Sequence, residues 1–494
     1  MFNLSPEQTA YLNWIDNGRG SLVLEAVAGA GKSSTLIQGL GRMRGDVALC
    51  AFNKKIAEEL IEKAEKSGVM RRGIRIQTMH GVGFSALRYE NRNLRVDEKK
   101  AERILEAELE SQDFPVIPFA TRLISHAKQR LLLPGGNKAE YMDIINHFGL
   151  DEFLPNTMRV DAAIEIAMET LHQDRAMSDH TIDFDDMVYL PALGRGNVWR
   201  NDWVLIDEAQ DTNLARRKLA RRMLKPSGRL VAVGDRHQAI YAFTGADTGA
   251  LDRIKQDFNC EELPLSVSWR CPVKVVEEAR KLVPHINPSP SASEGKVTTL
   301  ALTAEKFIQE RCPTADSAIL CRYNRPLVAM AFSLIRAGVC CKMEGRDIGR
   351  SLVALVDKWK TATTLDQIEA RLNTWLEKER RAAEEKKNPR RAQMAEDRVG
   401  TILVFIENLR DQEKTQTIDL RNAILSLFAD NVSGMLTLSS IHKSKGREWP
   451  SVYWIQAEGG RQARKDWEEE TERCCQYVAI TRAQEELVYL NLVD

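Results

Sequence analysis

The chain has no C-x-x-C pair, no run of about twenty apolar residues and no surplus of charge of either sign. Each absence removes a class of protein. Without C-x-x-C spacing, a zinc ribbon or an iron–sulfur cluster has no ligand set. The nine cysteines are odd in number and include two adjacent pairs, Cys340-Cys341 and Cys474-Cys475. They read as reduced, mostly buried thiols of a cytosolic protein. Lacking a long apolar run, the chain is expected not to enter a membrane. The opening residues MFNLSPE carry no basic region followed by an apolar stretch, so no secretory signal is read there. Lys plus Arg and Asp plus Glu both total 70, a net charge of zero. Such a balance argues against a protein that merely coats nucleic acid, yet leaves room for a local basic track with weak, renewable contacts. No internal repeat or low-complexity linker stands out.

What is present is enough chain for about three or four domains, with ordinary globular composition. SLVLEAVAGAGKSST at 21–35 reads as an apolar strand, a small-residue turn and a helix start. DVALCAF at 46–52 is a second strand, followed by the amphipathic KKIAEELIEKAEK. DWVLIDE and RLVAVGD are further short strands that end in acid. Strands alternating with helices predict a parallel sheet covered on both faces, with chemistry at the carboxyl ends of the strands. From about 90 to 180 the pattern turns helical and polar, as in an inserted subdomain. A second strand-rich stretch starts near 263 and resumes near 435 with GMLTLSSIH, SVYWIQ and ELVYLNLVD. Between them lies a charged block whose EKERRAAEEKKNPRRAQMAEDR suits a solvated helical hairpin.

Ala26-Val-Ala-Gly-Ala-Gly-Lys-Ser33 is a P-loop in all but its first position, where Ala26 replaces glycine. The small residues Ala28, Gly29, Ala30 and Gly31 let backbone N–H groups face a phosphate at a helix N-terminus that includes Ser34. Lys32 is placed for the β- and γ-phosphates and the Ser33 hydroxyl for Mg²⁺. In Val204-Leu-Ile-Asp-Glu-Ala-Gln-Asp211 an apolar strand ends in paired carboxylates. Asp207 is expected to help hold Mg²⁺ and Glu208 to orient or deprotonate the attacking water.

Asp207-Glu-Ala-Gln-Asp211 resembles motif II of superfamily 1A helicases, the UvrD/Rep/PcrA-like group, and further motifs follow that family's order. Leu4-Ser-Pro-Glu-Gln8 resembles the Q motif; Ala51-Phe-Asn-Lys-Lys55 and Thr78-Met-His80 resemble motifs Ia and Ib. Gly234-Asp-Arg-His-Gln238 with Ile-Tyr-Ala-Phe243 resembles motif III, and Trp269-Arg270 motif IV. Ile441-His-Lys-Ser-Lys-Gly-Arg-Glu448 resembles motif V, and Tyr477-Val-Ala-Ile-Thr-Arg482 motif VI. Asp183-Phe-Asp-Asp-Met-Val-Tyr-Leu-Pro191 and the A-F-N-K-K segment look like the F-box DNA helicases and their phage- or plasmid-encoded relatives, here without an F-box.

The resemblance implies roles. Gln8 would read adenine, Trp269 stack on it and Glu448 accept the ribose hydroxyls. Gln238 would sense the γ-phosphate, and Arg270 and Arg482 act as arginine fingers that couple cleft closure to hydrolysis. The single strand would meet Phe52, Asn53, Lys54, Thr78, His80 and His442, with Tyr241 and Phe243 each stacking a base. Phe243 stands where the family commonly has tryptophan, and Thr244 where an arginine is usual, which leaves the coupling of that loop to the γ-phosphate in question.

The expected architecture is α/β, with two RecA-like P-loop motor domains of parallel sheet, each carrying a mainly helical insertion. The first motor domain (1A) is expected at 1–90 and 181–262 with insertion 1B at 91–180. The second (2A) is expected at 263–350 and 431–494 with the charged insertion 2B at 351–430. The resemblance implies an ATP- and Mg²⁺-dependent DNA helicase, moving 3′→5′ on single-stranded DNA and at single-strand/duplex junctions. It is expected as a bare, monomeric motor in the cytoplasm at the nucleoid, with replication or repair proteins as partners and a phage or mobile element as a source. The rival readings are a translocase that strips proteins without efficient unwinding, and an ATPase that recruits partners through its charged helices.

Overall fold

The computed structural model describes residues 4–155, 157–240, 249–344, 346–385, 389–428, 435–456 and 466–493. Tyr241 and Phe243 lie outside the described residues. The chain divides into two compact units, Met1–Val267 and Ser268–Asp494.

The N-terminal unit is built on six parallel strands: β1 (Ser21–Ala26), β2 (Val47–Ala51), β3 (Ile74–Thr78), β4 (Asn201–Ile206), β5 (Leu224–Gly234) and β6 (Cys260–Leu265). Their order across the sheet is β3-β2-β4-β5-β1-β6. The short apolar runs form strands because helices cover both faces, so every residue of β2 is buried. Leu22, Leu24, Leu49, Val204, Leu205 and Val231 are fully buried, each stabilising the sheet by roughly 1.5–3 kcal/mol. The flanking helices are α1 (Pro6–Asn17), α2 (Lys32–Leu40), α3 (Lys54–Lys66) and α4 (Met79–Glu90).

The chain then leaves the sheet for α5 (Lys100–Glu108), α6 (Ile117–Gln129), α7 (Lys138–Phe148) and α8 (Val160–Met177), before α9 (Asp186–Ala192) and α10 (Leu214–Arg222) return it. The excursion has its own apolar core around Phe119, Leu123, Tyr141, Ile144 and Leu171. An ionic cluster ties it to the rest of the unit. Lys128 Nζ lies 2.6 Å from Asp183, 2.8 Å from Asp174 and 2.9 Å from Asp186, while Lys100 Nζ is 3.2 Å from Asp174 and 2.8 Å from Asp186. Both lysines are buried. Burial disfavours the Lys128 ammonium, but Asp186, Asp183 and Asp174 outweigh it and hold its pKa well above the usual lysine value.

The C-terminal unit repeats the plan with β7 (Lys296–Leu302), β8 (Ser317–Cys321), β9 (Cys341–Met343), β10 (Leu436–Ser440), β11 (Trp449–Ile455) and β12 (Ala483–Leu492). They pair in parallel in the order β7-β12-β11-β8-β10-β9. The charged block forms the helices Leu365–Glu385 and Pro389–Asp411. Their charged sides pair with one another, Arg380 with Glu396 at 2.8 Å and Arg391 with Glu379 at 2.6 Å. Their apolar sides (Leu372, Ile402, Phe405, Ile406) join the same core as Ile319 and Leu438 of the sheet. Among the described residues, no helix is long and apolar enough to cross a membrane.

Breaking a buried ion cluster by removing one partner strands the others without compensation, at about 3–5 kcal/mol. Lys128→Met is therefore expected to destabilise the N-terminal unit by that amount in chemical denaturation followed by a probe within it. A loss under about 1 kcal/mol would contradict the clamp.

Candidate nucleotide and nucleic-acid sites

In the N-terminal unit the carboxyl ends of β1, β4 and β5 bring three sequence segments together. Between β1 and α2, Gly29 (φ 72°) and Gly31 (φ 74°) take left-handed backbone that a side chain would strain. Ala26 ends the strand and is not among the residues of positive φ, so its methyl group is tolerated where the motif usually has glycine. Gly31 caps α2 without a side-chain hydrogen bond, so the first N–H groups of the helix have no cap competing with an anion.

Lys32, just inside α2, has a mostly but not fully buried side chain and reaches Glu208 at 3.2 Å. Burial works against its charge, but Glu208, Asp235 and Asp207 together raise its pKa. Asp207 is pushed up to about 7, by burial first and by the Glu208 carboxylate second. Asp235 is pushed up to about 6, chiefly by burial. Three carboxylates thus crowd one ammonium, and such a donor set suits a cation that brings further positive charge. Glu208 itself adopts left-handed backbone (φ 51°), a strain of order 1 kcal/mol that persists where surrounding structure demands it.

Gln210, which motif reading passed over, ties the segments together. Its Nε2 donates to Glu208 Oε2, and its Oε1 accepts the backbone N–H of Asp235 at 3.0 Å. A Cβ at Gly234 would stand 2.5 Å from Gln210 Oε1, so only glycine admits this approach. Asp235 in turn accepts from Gln238 Nε2 at 2.7 Å. The result is a continuous polar line, Lys32–Glu208–Gln210–Asp235–Gln238, with Gln210 and Gln238 both buried. Only the D-E-A-Q-D spacing hinted at it; the partner at position 235 lies just past the end of β5. Gln8 is also committed: its Oε1 accepts from Ser5 N–H at 3.0 Å in a capping box, and its Nε2 donates to Thr35 Oγ1 of α2 at 3.0 Å. It braces the phosphate-loop helix against α1.

In the C-terminal unit Arg270 pairs with Glu448 through its Nε and donates Nη1 to the Thr481 carbonyl at 3.3 Å. Glu448 also accepts from Gln484 at 3.0 Å. Arg482 is buried, donating to the carbonyls of Val478 at 3.0 Å and Arg447 at 2.9 Å. Trp269 is exposed, as a stacking platform requires. His442 sits 3.7 Å from the Cys475 thiol.

Of the residues expected to meet nucleic acid, Phe52 and His80 line one small cavity of about 70 Å³ with Asp185, Asp211, Asn213 and Arg216. Arg216 stacks over Phe52 at 5.8 Å, and Phe184 meets His80 edge-on at 6.5 Å. Asn53 and Thr78 cap α3 and α4, accepting from Ile56 at 2.9 Å and Gly81 at 3.0 Å. Lys54 is exposed, 3.8 Å from Glu58. Burial and then Arg216 lower the His80 pKa to about 4, so its ring is neutral at physiological pH.

A family model described as the UvrD/REP helicase N-terminal domain matches residues 4–259. One described as the UvrD-like helicase C-terminal domain matches 346–491. The ATP-dependent DNA helicase Rep of Salmonella typhimurium is 23% identical over 95% of this chain and 88% of that protein. That alignment spans 616 positions, more than the 494 residues here, so the relative carries segments without a counterpart. Rep of Escherichia coli is 22% identical over 98% of this chain and 90% of that protein. The ATP-dependent DNA helicase UvrD1 of Mycobacterium tuberculosis is 24% identical over 53% of this chain and 37% of that protein.

Two outcomes test the geometry. Gln210→Ala is expected to lower the kcat of ATP hydrolysis about 10- to 100-fold, the usual effect of losing a residue that orients a reacting group. KM should change by less, and an unchanged kcat would remove Gln210 from the line. A neutral His80 releases no counterion on binding. His80→Gln should therefore leave the slope of log affinity against log salt for single-stranded DNA unaltered, whereas a change of about one unit would mean a charged imidazole.

Proposed function

Because the chain belongs to the UvrD/REP helicase family, we infer that it is an ATP-dependent DNA helicase that moves 3′→5′ along single-stranded DNA. The observation that carries the motor chemistry is the polar line from Lys32 to Gln238. The helix N-terminus and Lys32 would hold the β- and γ-phosphates, which requires Lys32 to exchange Glu208 for phosphate oxygens. That exchange leaves Glu208 to accept a proton from the attacking water, held in place by Gln210. Ser33 and Asp207 would hold Mg²⁺, which when bound neutralises charge on the transferring phosphoryl group. Gln238, hydrogen-bonded to Asp235, lies at the far end of this line, suited to reporting the γ-phosphate to the strand-binding loops. Arg270 and Arg482 are proposed as the arginines whose charge lowers the barrier, and Trp269, Glu448 and Gln8 as the nucleoside contacts. Phe52, Asn53, Lys54, Thr78, His80 and His442, with Tyr241 and Phe243, would line the path of the strand.

A second reading draws on the segments of the Salmonella relative that have no counterpart here. A compact chain of this kind would translocate on single strands and displace bound proteins while opening duplex poorly.

Lys32→Ala is expected to abolish hydrolysis with the fold retained, and Glu208→Gln to bind ATP without cleaving it. Near-normal hydrolysis by either variant would overturn the site. Unwinding of duplexes bearing a 3′ tail, a 5′ tail or blunt ends decides the rest. Opening of the 3′-tailed duplex alone supports the direction, opening only from the 5′ tail refutes it, and tail-stimulated hydrolysis without opening selects the translocase.

A further inference from the structure

The nucleotide site occupies the carboxyl edge of the N-terminal sheet. The opposite edge, where the parallel strands begin, has a recurrent local sequence. Arg19-Gly20 precedes β1, Arg44-Gly45 precedes β2, and Arg72-Gly73 precedes β3. In all three the glycine takes positive φ (73°, 80° and 96°) to turn the chain into its strand, and each arginine is exposed. β2 and β3 are neighbours in the sheet, so two of these turns lie side by side. Beside the β2 turn is a concavity of about 580 Å³ lined by Arg42, Arg44 and Arg71, with Gly41, Met43, Gly45 and Asp16; Arg72 follows Arg71 at its edge.

The charge there is only partly neutralised. Arg42 is paired with Asp16. Arg71 is held by carbonyls instead, donating Nη2 to Met43 at 2.7 Å and Nη1 to Arg72 at 3.1 Å. Carbonyls fix a guanidinium in place without cancelling its charge. In a chain whose net charge is zero, this is a local excess. The lining is polar: Met43 is buried and no exposed apolar side chain offers the anchor that a protein partner uses. Exposed, pre-oriented guanidiniums without apolar neighbours match phosphate oxygens, which they bind through paired N–H donors.

We propose that this arginine-lined edge is a second DNA contact, binding the phosphodiester backbone of nucleic acid that lies off the motor track. The proposal rests on the helicase reading above. A contact there leaves the phosphate loop unobstructed and resists dissociation between steps, with no base read.

Arg44 and Arg72 are the side chains to change, because Arg42 and Arg71 also hold the local fold. Full-length Arg44→Glu/Arg72→Glu would be compared with the parent protein in three assays. With a saturating short single strand, the ATPase rate should stay within about two-fold, which establishes an intact motor. Affinity for a 3′-tailed duplex at low salt should fall at least about ten-fold, with the salt slope smaller by about two, one unit per lost phosphate contact. Blunt duplex and long single strands, titrated separately, identify which backbone is held: a loss confined to one assigns the contact to it. Unchanged affinity and slope on all three DNAs would overturn the proposal, as would unchanged DNA binding accompanied by lost binding of polyglutamate, the signature of an acidic protein partner. If the parent protein itself shows no DNA-stimulated hydrolysis, the helicase reading fails instead.

Discussion

The N-terminal unit is organised around one half-buried ammonium, that of Lys32, facing three carboxylates. Lys32 cannot be left uncompensated at that depth, and Glu208, Asp207 and Asp235 cannot all be ionised without it. The Lys32–Glu208 pair would thus stand in for the nucleotide we propose to bind here: phosphate oxygens would take the place of the carboxylate beside Lys32, and a divalent cation held by Asp207 and Ser33 would supply the positive charge that the carboxylates then lack. Neither exchange balances charge alone, but the added negative charge of the phosphates and the added positive charge of the cation offset each other, so nucleotide and cation are expected to bind as a unit. The left-handed backbone at Glu208 and the glycine at 234 are the local costs of bringing those groups into reach.

How much of this was legible in the sequence depends on how far apart the partners are along the chain. The α/β class, the parallel sheets and the phosphate loop follow from short apolar runs, small-residue turns and residues that are contiguous. Lys32, Asp207 and Glu208 are legible because each lies in a contiguous segment beside a recognisable strand, Lys32 opening the helix after β1 and Asp207 and Glu208 following β4 directly. Gln210 was missed because its significance lies in the N–H of Asp235, which only the pairing of β4 with β5 brings alongside. Gln8 is expected from its motif to contact adenine, and in this structure its Oε1 accepts the Ser5 N–H in the cap of α1 while its Nε2 donates to Thr35 of α2. A capping box is visible in Ser5-x-x-Gln8, and its spacing carried that signal.

The charged block shows a different limit. Its alternating signs correctly describe one face, but alternation hides apolar residues spaced at helical intervals, and Leu372, Ile402 and Phe405 bury that other face in the core of the sheet. The arginine edge was illegible for a topological reason. Arg44-Gly45 and Arg72-Gly73 are 28 residues apart in sequence and adjacent only because β2 and β3 pair.

Asp183-Phe-Asp-Asp186 joins these themes, because consecutive residues of one segment serve different masters. Asp183 and Asp186 hold Lys128, and Asp186 also holds Lys100, so the helical excursion is locked to the segment that returns to the sheet. Asp185 instead accepts the Ser125 hydroxyl at 2.6 Å and lines the cavity shared by Phe52 and His80. A movement of α6 relative to the sheet must therefore either break a buried ion cluster or carry the cavity wall with it. Since the first is costly, the second is what the structure permits: the excursion and the cavity behind motifs Ia and Ib move as one body. A single strand that bears on Phe52 and His80 would in this way be gripped by a wall, at Asp185, whose position is set 57 residues earlier in the sequence, by Lys128.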